Sequence, residues 1–431
     1  MDKPDRLAQV EQDVLAAMKR PGTAYLAALG CSATLFLTLL GLWAYQIHTG
    51  MGVAGITHPV GWGVYITNFV FWVGIAHSGT LISAVLYLFR ARFRTSFNRP
   101  AEAMTVFALL VAGLFPLIHL GRSWKFYYLF PYPTQRMLWV NFRSPLIWDV
   151  FAVSTYLTVS VVFFYVGLIP DFAIVRRFKE GLGKRIYGVL SLGWTGTRRQ
   201  WKNYNQLYLF LAAFATPLVA SVHSVVSWDF AMSIIPGWHT TIFAPYFVAG
   251  AIFSGTAMVI TLVVPMRKIL VLDRYITDDH FESIAKILLF TSLIVTYAYF
   301  VEFGLAFYSG NPFEMEEFRY RALGDYTVMF WIMIFCNSLA PLTLFVRSLR
   351  RNVKYLFVLS LLVNVGMWVE RFVIIVTALA RDFDPYAWGT YTPSFVEIGI
   401  TLGSFGLFFT AYLVFLKTLP VLSITEIKEH L

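Results

Sequence analysis

Seven side chains that can carry a proton or a charge fall in or beside long apolar stretches of this sequence: His77, His119, Asp149, His223, Glu302, Glu370 and Arg371. A charged Asp, Lys or Arg at the centre of a membrane helix costs roughly 2.5 to 3.5 kcal/mol, so groups kept at such depth are candidates for function. The chemistry these residue types offer is proton exchange, imidazole being suited to it because its pKa near 6.5 moves easily. Metal and cluster chemistry is poorly supplied. The two cysteines, Cys31 and Cys336, both lie within apolar stretches, which argues against a disulfide framework or a thiolate-held cluster. No CxxC, HExxH or P-loop occurs. A bis-histidine haem needs facing histidines at matched depth, and the sequence offers only His119 with His223. The chain reads as having no haem or iron–sulfur cluster of its own.

The elements that position these groups are apolar spans. Hydrophobic residues make up 58% of the chain and charged residues 13%, about half the charge of a soluble domain. About 20 apolar residues are needed to cross a bilayer. Ten stretches qualify: 24–47, 61–89, 100–121, 145–168, 205–226, 241–265, 283–307, 325–347, 354–380 and 394–419. The expectation is an all-α integral membrane protein. The net charge of +10 is a topology signal and not a nucleic-acid footprint: with the N-terminus inside, the termini and the loops on that side hold 25 of the 34 Lys and Arg, and the opposite loops seven. By the positive-inside rule both termini lie in the cytoplasm of a bacterial inner membrane, with anionic lipid as neighbour. Residues 1–22 lack the apolar core of a signal peptide. Leu7, Val10, Val14 and Met18 instead mark an amphipathic surface helix. The connection 169–204, with eight basic residues, belongs on the same face.

A repeat organises the spans. Gly74 and Ser78-Gly79-Thr80 recur 176 residues later as Gly250 and Ser254-Gly255-Thr256, and the same offset places Arg143 on Arg319 and Asp149 on Asp325. Two related four-helix bundles are expected, spans 2–5 (residues 61–230) and spans 6–9 (231–383). Span 1 with its loop (23–60) and span 10 with the tail (384–431) flank them. His77 corresponds to Phe253 and His119 to Val295, so the principal site belongs in the first bundle.

At the outer end of that bundle the topology gathers His119, Arg122, Asp149, His223 and Asp229, with His239 in the next loop, among Trp124, Trp148, Trp228 and Trp238. Imidazole and carboxylate lining an apolar, aromatic crevice suit a quinol, whose two hydroxyls need proton acceptors as electrons leave. The plain alternative is a set of interfacial groups paired with Arg122 and Arg143. His77 and Glu102, with Tyr65, Thr67, Asn68, Ser78 and Thr80, form a polar row that reads either as a proton route or as helix-packing glue. Glu302, Asp325 and Asp382 form a thinner outer group in the second bundle; Glu370 and Arg371 either pair with neighbours or, with Glu302 and Asp325, extend the proton route.

The segments Ile66 to Trp72 with His77-Ser78-Gly79-Thr80, Phe115-Pro116 through Arg122, Asn141 through Asp149, His223 through Phe230, Pro236 through Phe243 and Trp368 through Val373 together resemble the NrfD/polysulfide-reductase family of quinol-interacting membrane subunits. The wording is most similar to the quinol-binding ten-span subunit of bacterial alternative complex III. That resemblance implies His119, Asp149 and Asp229 as quinol residues and His77 and Glu102 as a proton route. It also implies menaquinol or ubiquinol as substrate, together with c-type haem subunits, a periplasmic iron–sulfur subunit and a second, paralogous ten-span subunit. A quinol-linked anchor for a polysulfide or other reductase, and a secondary transporter on the same repeat, are the rival expectations. Broken half-helices would mark the transporter.

Overall fold

The computed structural model describes residues 3–19, 21–130 and 142–429; Asn141, which opens one of the motifs above, lies outside them. Fourteen helices are named here in chain order. They are α1 (Lys3–Ala16), α2 (Thr23–Thr49), α3 (Val64–Leu88), α4 (Asn98–His119), α5 (Pro145–Phe178), α6 (Gly181–Leu190), α7 (Arg198–Ala231), α8 (Phe243–Ile269), α9 (Asp278–Ser309), α10 (Pro312–Leu323), α11 (Thr327–Phe345), α12 (Val353–Ala380), α13 (Phe395–Thr418) and α14 (Ile424–Glu429). Ten of them, α2–α5, α7–α9 and α11–α13, are long and apolar enough to span a membrane. The all-α, ten-span expectation therefore holds.

Helices that are apolar all round belong in the interior. α3 and α8 have that character, and they are the most buried spans. They pack on each other and carry the rest: α3 also touches α4 and α7, α8 also touches α7, α9 and α12, and α5 packs on α7. α2 pairs mainly with α13 at the edge, where most of its surface faces outward. The two Ser-Gly-Thr copies explain the tightness of the centre. A Cβ on Gly79 would stand 1.9 Å from the Thr105 hydroxyl oxygen, and one on Gly255 would stand 2.6 Å from the Ile75 carbonyl oxygen. Each glycine lets two helices approach backbone to backbone, the usual device where lipid removes the hydrophobic drive for helix association.

The spans are continuous among the described residues, but three contain a wide π-turn, at Leu81–Val85, Phe335–Leu339 and Val373–Thr377. Both termini lie on one face of the bundle, where Lys428 on α14 pairs with Glu11 on α1 at 2.5 Å. The other face is called the distal face below. The amphipathic α1 forms as expected, but Val10, Val14 and Met18 are buried against the protein and do not face lipid.

Candidate functional site

α4 ends at His119, after Pro116, because Gly121 turns the chain with φ +65; a Cβ there would meet Met51 at 2.5 Å. α5 begins with Pro145 at its first position. Ser144 occupies the cap position with extended backbone, yet its hydroxyl makes no cap bond. The entry is fixed instead by Trp148, whose indole N–H donates to the Phe142 carbonyl at 2.7 Å and whose ring meets Trp228 edge-on at 5.9 Å. Asp149 follows in the second turn. α7 approaches from the side and brings Asp229 near its own end.

Between these helix ends lies a cavity of about 410 Å³, walled largely by Trp62, Phe69, Leu117, Leu120 and Phe130 and lined by three ionisable side chains, His119, Asp149 and Asp229. The two carboxyl groups lie close enough to interact. Two carboxyls so near each other in one buried cavity can share a proton. His119 Nδ1, Asp149 Oδ1 and Asp229 Oδ1 are buried atoms without a hydrogen-bond partner among the described residues. Such atoms are costly, and here three of them line one small cavity.

The other residues expected at this site lie elsewhere. Arg122 is exposed and does not line the cavity. His239 is exposed, its Nδ1 3.1 Å from the Ser233 carbonyl, in a separate crevice beside Trp228 and Met232. His223 is the larger correction. α7 continues to Ala231, beyond the end expected for span 5, which leaves His223 about two turns below Asp229 and well inside the protein. Its partner there is not His119 but His77, ring centroids 4.4 Å apart, both residues fully buried. Both nitrogens of His77 face carbonyl oxygens, Val73 and Val219, each at 2.8 Å. A neutral imidazole has one N–H; only the doubly protonated ring donates to both. Neither nitrogen of His223 has a partner.

Most of the polar row around His77 joins helices together. The Asn68 amide donates to Thr401 (2.8 Å) and its carbonyl accepts from Trp368 (2.7 Å), Ser78 donates to the Ile252 carbonyl (2.7 Å), and Thr80 bonds Tyr156 (2.8 Å). Toward the terminal face, Glu102 belongs to a network that sequence reading did not identify. Arg99 bridges Glu102 (3.1 Å) and Asp171 (3.0 Å), Tyr208 donates to Glu102 (3.2 Å), and Arg94 pairs with Glu426 of α14 (2.8 Å). The available signal was Arg99 three residues before Glu102, next to a helix-starting Pro100. Its other partner, on a separate helix, gave none.

In the second half of the chain Glu302 takes a salt bridge from Arg321 at 3.0 Å, and Arg321 also pairs with Glu317 one turn earlier on α10, a contact shared with Thr377. Burial raises the Glu317 carboxyl above its ordinary pKa, with Arg321 opposing. Glu370 accepts from Tyr299 and from Asn337 (3.1 Å) and lies 3.0 Å from Arg371, whose guanidinium stacks over Phe247 at 4.3 Å. Asp325 is exposed and bonded to Tyr320 at 3.0 Å, so it does not join the buried groups. No group of three or more His, Cys, Asp or Glu side chains among the described residues is arranged to hold a metal ion.

Known proteins resemble the chain along most of its length. A putative dimethyl sulfoxide reductase membrane subunit of Halobacterium salinarum is 29% identical over 87% of this chain and 86% of its own. A selenate reductase subunit of Mesobacillus selenatarsenatis is 21% identical over 90% and 92%. A probable Ni/Fe-hydrogenase 2 b-type cytochrome subunit of Escherichia coli is 24% identical over 88% of each chain. These are membrane subunits of oxidoreductase complexes, and the last name leaves haem an open question for such chains. Residues 52–381, well over half of the sequence, match the family described as polysulphide reductase, NrfD, and the chain belongs to that family.

Proposed function

We propose that this chain is the quinol-oxidising membrane subunit of a respiratory or photosynthetic electron-transfer complex, with the distal face toward the periplasm and the termini in the cytoplasm. The observation that carries the reading is the distal cavity: an apolar, aromatic pocket lined, among the described residues, by three ionisable side chains, His119 and the neighbouring carboxyls of Asp149 and Asp229, each with a polar atom that has no partner there. Quinol hydroxyls would satisfy those atoms, and His119, Asp149 and Asp229 would take the protons as electrons pass to an iron–sulfur subunit docked on the distal face. Arg122 and His239 would take no direct part, since neither lines this cavity. NrfD-type membership supports quinol as the ligand, menaquinol or ubiquinol alike.

The finer reading is an alternative complex III-type assembly, with c-type haem subunits and a second ten-span subunit, supported by the wording of residues 223–260 and 368–383. The relatives' names favour a second reading, the quinol-linked membrane subunit of a reductase complex. The purified complex separates the two: c-type haem spectra and a paralogous ten-span chain support the first, and a reductase catalytic subunit in their place supports the second. Proton conduction is part of the same proposal. His77 and His223 would relay protons inward from the cavity toward Glu102, whereas Glu302, Glu370 and Arg371, fastened in ion pairs, and the exposed Asp325 would take no part in the route. The double carbonyl contact of His77 beside the partnerless His223 is the geometric support.

A photoreactive menaquinone or ubiquinone analogue tests the ligand directly. Labelling should fall at the end of α4 and the start of α5 and be suppressed by excess quinol. Labelling confined to other helices, or none, removes the cavity from the proposal.

A further inference from the structure

α6 presents an arrangement that neither the cavity nor the buried networks explain. Leu182, Ile186 and Val189 are 72%, 48% and 75% exposed, and at 100° per residue they fall within an arc of about 60°. The adjoining arc holds the helix to the protein. The Tyr187 ring meets Phe172 at 5.8 Å and its hydroxyl donates to the Thr418 carbonyl at 2.6 Å, while Tyr165 donates to the Leu190 carbonyl at 2.9 Å. The remaining arc carries Lys184 and Arg185, both exposed. The order around the helix is therefore protein, apolar row, charge.

Depth follows from α5. Tyr165 lies twenty residues beyond Pro145, about 30 Å at 1.5 Å per residue, close to the hydrocarbon thickness of a bilayer. With Trp148 and Trp228 marking the distal interface, α6 returns along α5 to the level where α5 leaves the opposite hydrocarbon boundary. Around it, Arg177, Lys179, Arg198, Arg199 and Lys202, with Lys184 and Arg185, have no ion pair among the described residues. Glu180 is the one acidic side chain exposed in this connection.

We infer that α6 is an interfacial helix that binds anionic phospholipid on the terminal face. Its apolar row enters the acyl boundary, and the unpaired cations around it meet the lipid phosphates. The partner is lipid because Tyr165, which holds the end of α6, stands about one bilayer thickness along α5 from its distal start, and the local charge is almost wholly positive.

The full chain in nanodiscs tests this without reference to quinol. Single cysteines at positions 182, 184, 186 and 189, placed in a Cys31→Ser, Cys336→Ser background and spin-labelled, report depth. Labels at 182, 186 and 189 should collide with oxygen and be shielded from a water-soluble nickel chelate, whereas the label at 184 should meet the chelate. Equal nickel access at all four positions overturns the placement and leaves the row as a docking face for a soluble subunit. In mixed detergent–lipid micelles, native mass spectrometry should find phosphatidylglycerol retained over phosphatidylethanolamine. The Lys179→Gln, Lys184→Gln, Arg185→Gln variant should lower that preference by about fivefold for each cation removed, the factor that goes with roughly 1 kcal/mol per charge near a membrane surface. Replacement of Lys by Arg should preserve it. Retention indifferent to headgroup charge, or unchanged in the triple variant, overturns the lipid assignment.

Discussion

The distal ends of the two halves of this protein handle buried carboxylates in opposite ways. In the second half, Glu302 and Glu317 share Arg321, and Thr377 closes the set. In the first, Asp149 and Asp229 line one cavity with His119 and make no ion pair among the described residues, and each of the three has a buried polar atom without a partner among those residues. A carboxylate fastened to a guanidinium is expensive to protonate or to move; a carboxyl facing another carboxyl exchanges a proton readily. On the proposed reading, the same kind of side chain is structural where Arg321 holds it and reactive where the described residues supply no such cation.

Substitution at the reactive end should give the largest effect. Asp149→Asn keeps size and removes the proton acceptor, so quinol oxidation by the assembled complex should fall about 10²- to 10⁴-fold, the range of a lost general base, with little change in assembly. Wild-type turnover in that variant would dissolve the distinction drawn above. Arg321→Gln should invert the pattern. Two buried acids would lose their cation, at a cost of about 3 to 5 kcal/mol, seen as lower yield and an earlier thermal transition. Turnover per assembled complex should stay near normal. If Arg321→Gln assembled normally but turned over slowly, the second half would also carry chemistry.

His119→Phe probes one contact within the cavity. Phe keeps an aromatic ring but has neither imidazole nitrogen, and the buried Nδ1, which has no partner among the described residues, is the one a ligand would satisfy, so a quinol-analogue inhibitor should bind about tenfold more weakly, the worth of roughly one hydrogen bond. Unchanged inhibitor affinity would remove His119 from the ligand's contacts while leaving the aspartate pair in place.

How much of this was readable beforehand follows the physics of each feature. Spans were legible because a bilayer demands about 20 apolar residues, and His119, Asp149 and Asp229 could be grouped because each sits near a helix end, where topology alone sets depth. For His223 the hydropathy misleads: the apolar run stops near 226, whereas α7 runs on to Ala231, and those few residues of helix carry His223 from the cavity to His77. The partners of Glu102 and Glu302 were hidden for a different reason. Asp171 meets Arg99 across two helices, and Arg321 reaches Glu302 through α10, a short helix between spans; no spacing rule joins such positions. The Ser-Gly-Thr copies were visible as a repeat, but their meaning as close-contact points needed the neighbouring backbones.

The smallest effect on stability, and the finest division, belongs to His77. In the repeat its counterpart is Phe253, also fully buried, so this scaffold holds an aromatic ring at that place without a polar partner. His77→Phe removes two contacts with the Val73 and Val219 carbonyls, yet it also removes a polar group from the membrane interior, and the opposing changes should leave stability within about 1 kcal/mol. The ring stack on His223 and Tyr156 is retained in kind. A change in function would then have one source, the lost proton site. Reconstituted in proteoliposomes as the whole complex, the variant should oxidise quinol at the cavity but release protons with altered stoichiometry or sidedness. If coupling were normal, His77 would be part of the packing that holds α3 to α7, and the comparison between the halves would end at the distal cavity.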